Sequence, residues 1–188
     1  VSSTGMISRE VFEQRKLLES DSSRDFLTVG SMGHASQIAL GIALSRPEVQ
    51  VVCLDGDGAA IMHLGGFATS GTSGAKNLIH IVLNNMAHDS VGGQPTVAGR
   101  ISLTAIASAC GYSAPTETVK TADSIAESLQ QLLKVKGPTF LEVLVSKGSR
   151  ADLGRPTETP LKNRQRMMKS LGVELPNIDH GTSAGATN

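Results

Sequence analysis

Short apolar runs alternate along this chain with segments of helical periodicity, and this alternation restricts the fold more than any other feature of the sequence. The runs are rich in β-branched residues and are bounded by Gly or Asp, as strands usually are. Strands joined by helices in this way are typical of a parallel sheet with crossover connections. The sequence therefore predicts an α/β module of three layers, with helices on both faces of a mainly parallel central sheet. The predicted strands are 25–29, 50–55, 78–84, 117–120 and 139–145.

Helices are predicted between these strands. Apolar residues recur at helical spacing in 34–44, which predicts a largely buried helix. A second apolar stripe begins at Ala122, where Thr121 is the expected N-cap, and predicts a surface helix that covers the sheet. Residues 1–5 have the pattern of the end of a strand and its turn, so we expect the chain to be either a fragment or a small subunit. Further helices are predicted over 9–18, 102–110 and 161–171.

The charge balance and the apolar runs argue against two classes of partner. The 188 residues include 17 basic and 17 acidic side chains, so the chain lacks the basic excess typical of nucleic-acid-binding proteins. The apolar runs are far shorter than the roughly 18 residues needed to span a bilayer. We therefore expect no nucleic acid and no membrane among its partners. Cys53 and Cys110 lie in apolar patterns, which favours packing roles and a reducing, cytoplasmic location.

The sequence divides into a module at 1–148 and a C-terminal extension at 149–188. Residues 150–170 contain six basic and two acidic side chains, and two prolines interrupt regular structure there. We predict a basic arm on the surface, although a charge run of this type is usually a solvated face. Residues 181–188 are small and polar, which predicts a disordered tail.

The most informative motif is the Asp-Gly-Asp-Gly turn at 55–58, which ends a predicted strand. Asn84 and Asn85 end the next predicted strand of the sheet. Both segments therefore lie at the carboxyl edge of a parallel sheet, where open α/β folds bind ligands. Gly56 and Gly58 let the backbone turn sharply and approach a ligand closely, and the amides that begin the following helix suit an anionic phosphate.

Asp57 is out of place beside a phosphate unless a cation separates the two groups. A carboxylate about 4 Å from a phosphate is repelled by about 4 kcal/mol at an effective dielectric constant of about 20. A Mg²⁺ ion removes this conflict, with Asp57, the Asn85 amide oxygen, a backbone carbonyl just beyond, phosphate oxygens and water as ligands. The alternative is a tight strand-to-helix turn that binds no ligand, since Asp-Gly turns are common. A dinucleotide fingerprint needs a glycine where Ile61 stands, and the turn lacks the Lys-Ser/Thr pair of a P-loop.

These motifs, together with Gly30-Ser31-Met32-Gly33, resemble the diphosphate-binding half of thiamine diphosphate enzymes. The resemblance is closest to the phosphonopyruvate decarboxylase family, and the related sulfopyruvate decarboxylases share the general frame. It covers nearly all of 1–170 but corresponds only to the C-terminal half of a full-length phosphonopyruvate decarboxylase. It implies a thiamine diphosphate-binding fold. The segments that resemble this family are 30–36, 55–63, 87–96 and 152–156.

The resemblance also implies a set of metal and diphosphate contacts. It assigns Asp57, Asn85 and the carbonyl of Ala87 to Mg²⁺, and it places Gly58 and Ala59, after the turning residue Gly56, on the diphosphate. Further cofactor contacts are implied for the loop before the predicted helix 34–44. The Gly30 carbonyl is expected to accept a hydrogen bond from the 4′-amino group of the cofactor, and Met32 is expected to lie beneath it as an apolar wedge. An ordinary core position is the alternative for Met32, because flexible Met often fills gaps.

Three further residues are candidates for chemistry. His34 follows Gly33 near the expected edge of the cofactor, so it is either a diphosphate contact or a bystander. His88 and Asp89 follow the metal-binding asparagines and are the candidate catalytic residues, in a loop that contains two glycines and is able to close over substrate. The alternative is that this loop only holds the metal-binding residues in place.

The activity that the resemblance implies is decarboxylation of a 2-oxo acid, phosphonopyruvate, to phosphonoacetaldehyde and CO₂. The electrons released with CO₂ pass to the cofactor ring, a task that no side chain performs. The substrate anion needs cationic donors, and Arg100, Arg150 and Arg155 are either such donors or solvated residues. Sulfopyruvate is the alternative substrate.

The same resemblance implies a partner. The glutamate that activates the cofactor belongs in this superfamily to a separate pyrimidine-binding domain, and no segment of this chain has the pattern of that domain. We expect a second domain or subunit to supply it, within a homo- or hetero-oligomer, and we expect the isolated chain to be inactive. A noncatalytic cofactor-binding or assembly module is the alternative function.

Overall fold

The structure is a computed structural model that describes residues 1–113 and 117–174. Its main sheet is parallel and has the strand order β1-β2-β5, with Gly56 of β1 opposite Leu83 of β2. A separate antiparallel pair, β3 and β4, follows β2 in the chain. The strands are β1 (Val51–Gly56), β2 (Leu78–Asn84), β3 (Ala87–His88), β4 (Gln94–Pro95) and β5 (Thr139–Leu144).

Helices lie before, between and after the strands of the main sheet. Within the described ranges, none of them is long and apolar enough to cross a membrane. Short 3-10 turns occupy Asp89–Val91 and Ala98–Arg100. The helices are α1 (Met6–Leu17), α2 (Ala35–Ser45), α3 (Asp57–Met62), α4 (Gly65–Gly71), α5 (Leu103–Ala109), α6 (Ala122–Leu132) and α7 (Pro160–Ser170).

Both faces of the sheet are buried against helices. On one face, Cys53 packs against residues of α2, and Val82 and Phe140 pack against residues of α4 and α5. On the other face, Ile81 and Leu141 pack against residues of α6. Burial on both faces explains why these strands are continuous apolar runs and not alternating ones. The predicted three-layer α/β fold with a mainly parallel sheet is confirmed.

Two of the predicted strands are reduced to single parallel bridges. Leu27, from the predicted strand 25–29, bridges Ser2, which in turn bridges Leu54 of β1. Val119, from 117–120, bridges Val143 of β5. These segments therefore extend the sheet on both sides. Only one residue of each satisfies the ladder geometry, because their hydrogen bonds to the neighbouring strand are few.

The C-terminal extension packs on the module through α7. The Asn163 side chain donates a hydrogen bond to the Leu27 carbonyl at 2.9 Å, and Arg46 of the module donates to the Leu171 carbonyl at 3.0 Å. Leu153 and Met167 are buried. The extension is therefore anchored to the module as far as Leu171. The predicted disordered tail, 181–188, lies outside the described residues.

Candidate cofactor and metal site

The two predicted site segments meet at the carboxyl edge of the sheet. Gly56 ends β1 and Asn84 ends β2, and the parallel register places these ends side by side. Asp57 begins α3 and is only 2% exposed. The sheet topology therefore brings Asp57 and Asn85 together, as the sequence predicts.

The Asp57 carboxylate is buried among hydrogen-bond donors that carry no positive charge. It accepts from the Thr96 hydroxyl and from the backbone amides of Gly58 and Asn85. Burial raises the pKa of Asp57 above its ordinary value, and the hydrogen bonds offset part of that rise. A buried carboxylate is unfavourable without a counter-ion, so the donor set at this turn fits a cation.

The Asn85 amide group is oriented by two contacts. Its Nδ2 donates to Asp89 Oδ2 at 2.6 Å, and its Oδ1 accepts from the Ala87 amide at 3.0 Å. Asp89 Oδ2 also accepts from the Gly148 amide at 2.7 Å, which ties the loop after β2 to the segment after β5. An amide oxygen has two acceptor lone pairs, so Asn85 Oδ1 retains one for a metal ion.

His88 packs directly on the glycine of the turn. A Cβ atom at Gly58 would lie 2.6 Å from His88 Nδ1, a distance that real side chains do not reach. The ring of His88 therefore occupies the space over Gly58 where a larger residue would project. Of the two candidate catalytic residues, His88 faces the turn and Asp89 holds the loop together.

The 30–33 loop lies against α3. At Gly33, which has φ +82°, a Cβ would lie 2.9 Å from the Ala59 carbonyl oxygen. His34 stacks near His63, with ring centroids 4.5 Å apart, and its Nδ1 lies 3.1 Å from the Met32 carbonyl. The glycine is required here because the loop and α3 are in close contact.

A cleft of about 320 Å³ opens beside the turn. Its lining includes Met32, Gly56, Asp57, Gly58, Ala59, Asn85, Ala87, His88 and Asp89. Gly30, Gly33 and His34 do not line this cleft, and Gly30 faces a separate cavity of about 140 Å³. The structure therefore brings most of the predicted residues to one cavity and leaves three of them outside it.

The cleft contains a buried hydroxyl group that sequence reasoning did not single out. Ser3 is 1% exposed, and its Oγ has no hydrogen-bond partner among the residues that the structure describes. An unpaired buried hydroxyl in a cleft fits a polar ligand. Ser3 ends the short segment beside β1, so its place at the same sheet edge was the signal available. The contact between Thr96 and Asp57 could not be predicted in this way, because the two residues are 39 positions apart in the sequence.

The three arginines that were candidates for the substrate anion do not line the cleft. Arg100 and Arg155 are exposed, and Arg150 lies 3.8 Å from Glu13 of α1. The substrate contact expected of them therefore stays a prediction.

A buried polar group lies beneath the turn. Asp55 Oδ1 accepts from the Gly56 amide at 3.0 Å, and Asp55 Oδ2 lies 3.4 Å from His80 Nε2. His80 Nδ1 lies 3.1 Å from the Tyr112 hydroxyl, so His80 is a core imidazole with partners on both nitrogens. Cys53 lies beside this group, and burial raises the pKa of its thiol well above the ordinary value.

The comparison with protein families identifies the class of this domain. Residues 3–143 match the family described as the thiamine pyrophosphate enzyme, C-terminal TPP-binding domain. The chain belongs to this family. The match confirms the resemblance found in the sequence and makes thiamine diphosphate the cofactor class of the domain.

Two curated relatives share much of this sequence. The chain is 40% identical over 166 residues to the phosphonopyruvate decarboxylase of Streptomyces viridochromogenes. The aligned residues make up 88% of this chain and 40% of that protein. It is 40% identical over 145 residues to the sulfopyruvate decarboxylase subunit beta of Methanothermobacter thermautotrophicus. The aligned residues make up 77% of this chain and 72% of that subunit. The chain thus spans less than half the length of the first relative and most of the second.

A solved structure supports the fold. The X-ray structure of a thiamin diphosphate-dependent enzyme from Mycobacterium smegmatis has a TM-score of 0.51 and 24% sequence identity to the chain. The superposition covers 63% of this chain and 23% of that one. The thiamine diphosphate-binding fold expected from the motifs is confirmed.

Proposed function

We propose that this chain is the diphosphate- and Mg²⁺-binding domain of a thiamine diphosphate-dependent 2-oxo acid decarboxylase. The observation that supports this most is the position of Asp57, a buried carboxylate that lines the cleft and has no counter-ion among the residues described. Asn85 lies beside it on the neighbouring strand end, and both belong to a domain of the thiamine diphosphate family. A divalent cation between Asp57 and a diphosphate accounts for this arrangement.

In this proposal each part of the site has a separate task. Asp57, Asn85 Oδ1 and the Ala87 carbonyl hold Mg²⁺, while Gly58 and Ala59 provide amides for the diphosphate. The chemistry that the bound cofactor supplies is an electron sink for the carbon–carbon bond that releases CO₂. Met32 lines the cleft as the apolar support beneath the cofactor. The contacts proposed for Gly30, Gly33 and His34 stay predictions, because these residues do not line the cleft.

We assign the proposed catalytic tasks of this chain to His88, the last residue of β3, and to Asp89, which follows it. His88 lines the cleft and carries an imidazole, the group that enzymes use most often for proton transfer. Asp89 Oδ2 accepts hydrogen bonds from the Asn85 side chain and from the Gly148 amide. Asp89 therefore acts on the reaction mainly by holding the loop. Replacing Asp89 should alter both cofactor binding and turnover.

The proposed substrate is phosphonopyruvate, and sulfopyruvate is the alternative. The names of the two relatives support these two substrates to a similar degree, because the identity is 40% in each case. The second relative is a beta subunit, and the first is much longer than this chain. We therefore propose a pyrimidine-binding domain or subunit as partner in a homo- or hetero-oligomer, with residues 1–148 as the cofactor-binding domain and 149–188 as its extension.

The experiment that tests this function combines the chain with its pyrimidine-binding part, as one polypeptide or as two subunits. CO₂ release is measured on phosphonopyruvate and on sulfopyruvate, with thiamine diphosphate and Mg²⁺ present. We expect release from phosphonopyruvate by the combined protein and none by the chain alone. Cofactor binding without release from either substrate would favour the noncatalytic module, and release by the chain alone would contradict the proposed partner.

A further inference from the structure

Besides Asp55, a further acidic side chain is buried in the sheet outside the cleft. Glu142 lies in β5, in the otherwise mostly apolar run Thr139–Leu144, and is 5% exposed. Its Oε1 accepts from Asn84 Nδ2 at 2.7 Å, and its Oε2 accepts from the hydroxyls of Thr104 and Thr118 at 3.1 Å each. A buried carboxylate is costly, and it is retained where donors satisfy both oxygens, as they do here.

The contact with Glu142 fixes which way the Asn84 amide points. Asn84 is 2% exposed, and its Oδ1 accepts from the Met86 backbone amide at 3.0 Å. The NH₂ end of the Asn84 amide donates to the Glu142 carboxylate, so this end of the amide faces β5. The oxygen end of Asn84 is then left to face Met86.

Met86 is the residue around which the proposed metal loop turns. Its φ is +58°, in the left-handed region that non-glycine residues seldom adopt. The bond from its amide to Asn84 Oδ1 and the bond from the Thr96 amide to its carbonyl, 3.1 Å long, hold this conformation. Asn85 and Ala87 flank Met86, so its conformation determines where the Asn85 side chain and the Ala87 carbonyl lie.

We propose that Glu142 is a positioning residue for the Mg²⁺ site, acting through Asn84 and the Met86 turn. Neither Glu142 nor Asn84 lines the cleft, so Glu142 touches neither metal nor cofactor. The inference rests on the proposed function, because it concerns the loop that provides two of the proposed metal ligands. Partners of metal ligands usually contribute about tenfold to a hundredfold to metal affinity.

The test compares Glu142→Leu with Glu142→Gln and with the control Thr118→Val in the complete protein, including its pyrimidine-binding part. Thr118→Val removes a donor from the same carboxylate but leaves the Asn84 bond in place. The Mg²⁺ concentration that gives half-maximal thiamine diphosphate binding is measured for each variant. The thermal midpoint without metal or cofactor is measured in parallel.

We expect Glu142→Leu to raise the half-saturating Mg²⁺ concentration about tenfold or more. Glu142→Gln should stay close to wild type, because its amide oxygen still accepts from Asn84 and the threonine hydroxyls can rotate to accept from its NH₂ group. Thr118→Val should lower the thermal midpoint but leave the Mg²⁺ requirement nearly unchanged. An equal Mg²⁺ requirement in Glu142→Leu and Thr118→Val would overturn the proposal, since Glu142 would then have only a structural role.

Asn84→Ala provides the second variant if Glu142→Leu does not fold. It removes the bond to the Met86 amide and should raise the Mg²⁺ requirement about tenfold. An unchanged requirement in this variant would also overturn the proposal. The wild-type protein separates the two ideas: no Mg²⁺-dependent cofactor binding there contradicts the proposed function, whereas normal binding with an unchanged Asn84→Ala variant contradicts only the role of Glu142.

Discussion

At the scale of single residues, Gly58 has the least room of the residues in the turn after β1. A methyl group there would overlap the His88 ring. Overpacking of this kind costs about 1–3 kcal/mol of stability, and the turn or the His88 ring has to shift to relieve it. Because such a shift displaces the amide that we propose for the diphosphate, we expect Gly58→Ala to weaken thiamine diphosphate binding by about tenfold at saturating Mg²⁺, as measured by calorimetric titration.

The double variant Gly58→Ala/His88→Ala is the control for this prediction. Removal of the imidazole clears the space that the new methyl group needs, so the double variant should recover part of the affinity that Gly58→Ala loses. Wild-type affinity in Gly58→Ala would show that the turn adapts. In that case the contact with His88 does not constrain the site.

The burial of Tyr112 makes the stability of the protein depend on pH in the alkaline range. It is 4% exposed, and burial raises the pKa of its hydroxyl above the ordinary value of 10.0. The folded protein therefore keeps a proton that the unfolded chain releases at high pH. The stability that this group contributes is complete below pH 10 and falls as the pH rises above it, by about 1.4 kcal/mol per pH unit.

This pH dependence is measured from urea unfolding at a series of alkaline pH values, for wild type and for Tyr112→Phe. The free energy of unfolding should fall with pH less steeply in Tyr112→Phe, although that variant starts from a lower value because His80 loses a partner. Equal slopes for the two proteins would contradict the burial effect. Tyrosinate absorbance in the folded wild type at moderately alkaline pH would contradict it as well.

At the scale of elements, α6 depends on its N-terminal cap. The Thr121 hydroxyl accepts from the Ser124 amide at 3.2 Å, and the Ser124 hydroxyl accepts from the Thr121 amide at 3.1 Å. Loss of such a capping box typically costs about 1 kcal/mol. We expect Thr121→Ala to lower the free energy of unfolding by about that amount in urea, while Thr121→Ser stays near wild type. Equal losses in both variants would show that the hydroxyl is not the stabilising group.

The sequence predicts the elements with strong periodicity well. The predicted strand 50–55 begins and ends one residue before β1. The predicted helix 34–44 likewise begins and ends one residue before α2. These elements have long apolar patterns that only one secondary structure satisfies. The short elements are not predicted, such as the β3–β4 pair and the break between α3 and α4. Tertiary contacts, and not local periodicity, determine two-residue strands and short helices.

The same division applies to the candidate site. The meeting of Asp57 and Asn85 is predictable, because it follows from sheet topology and from the order of two motifs. The partners that orient them are not, because the bond between Asn84 and Glu142 spans 58 residues and has no local pattern. One signal was present for Glu142: it is the only acidic residue of a predicted strand that is otherwise apolar apart from Thr139.

At the scale of the whole molecule, the proposed cofactor site combines residues of this chain with a proposed partner domain. The chain provides the cleft, the buried carboxylate and the loop after β2, and it belongs to a family named for the C-terminal part of its enzymes. The proposed partner must close the other side. Because Asp57 belongs to this chain alone, its role can be tested whatever the partner proves to be.

The most direct test of the account is the Mg²⁺ dependence of thiamine diphosphate binding in wild type and Asp57→Asn, with Asp123→Asn as the control. Asp123 is an exposed carboxylate in the first turn of α6. The complete protein is titrated with cofactor in excess Mg²⁺ and again in the presence of a chelator. We predict that Mg²⁺ strengthens binding in wild type and in Asp123→Asn, and that Asp57→Asn loses at least about a hundredfold of that gain. An Asp57→Asn protein that binds thiamine diphosphate with the wild-type dependence on Mg²⁺ would contradict the account.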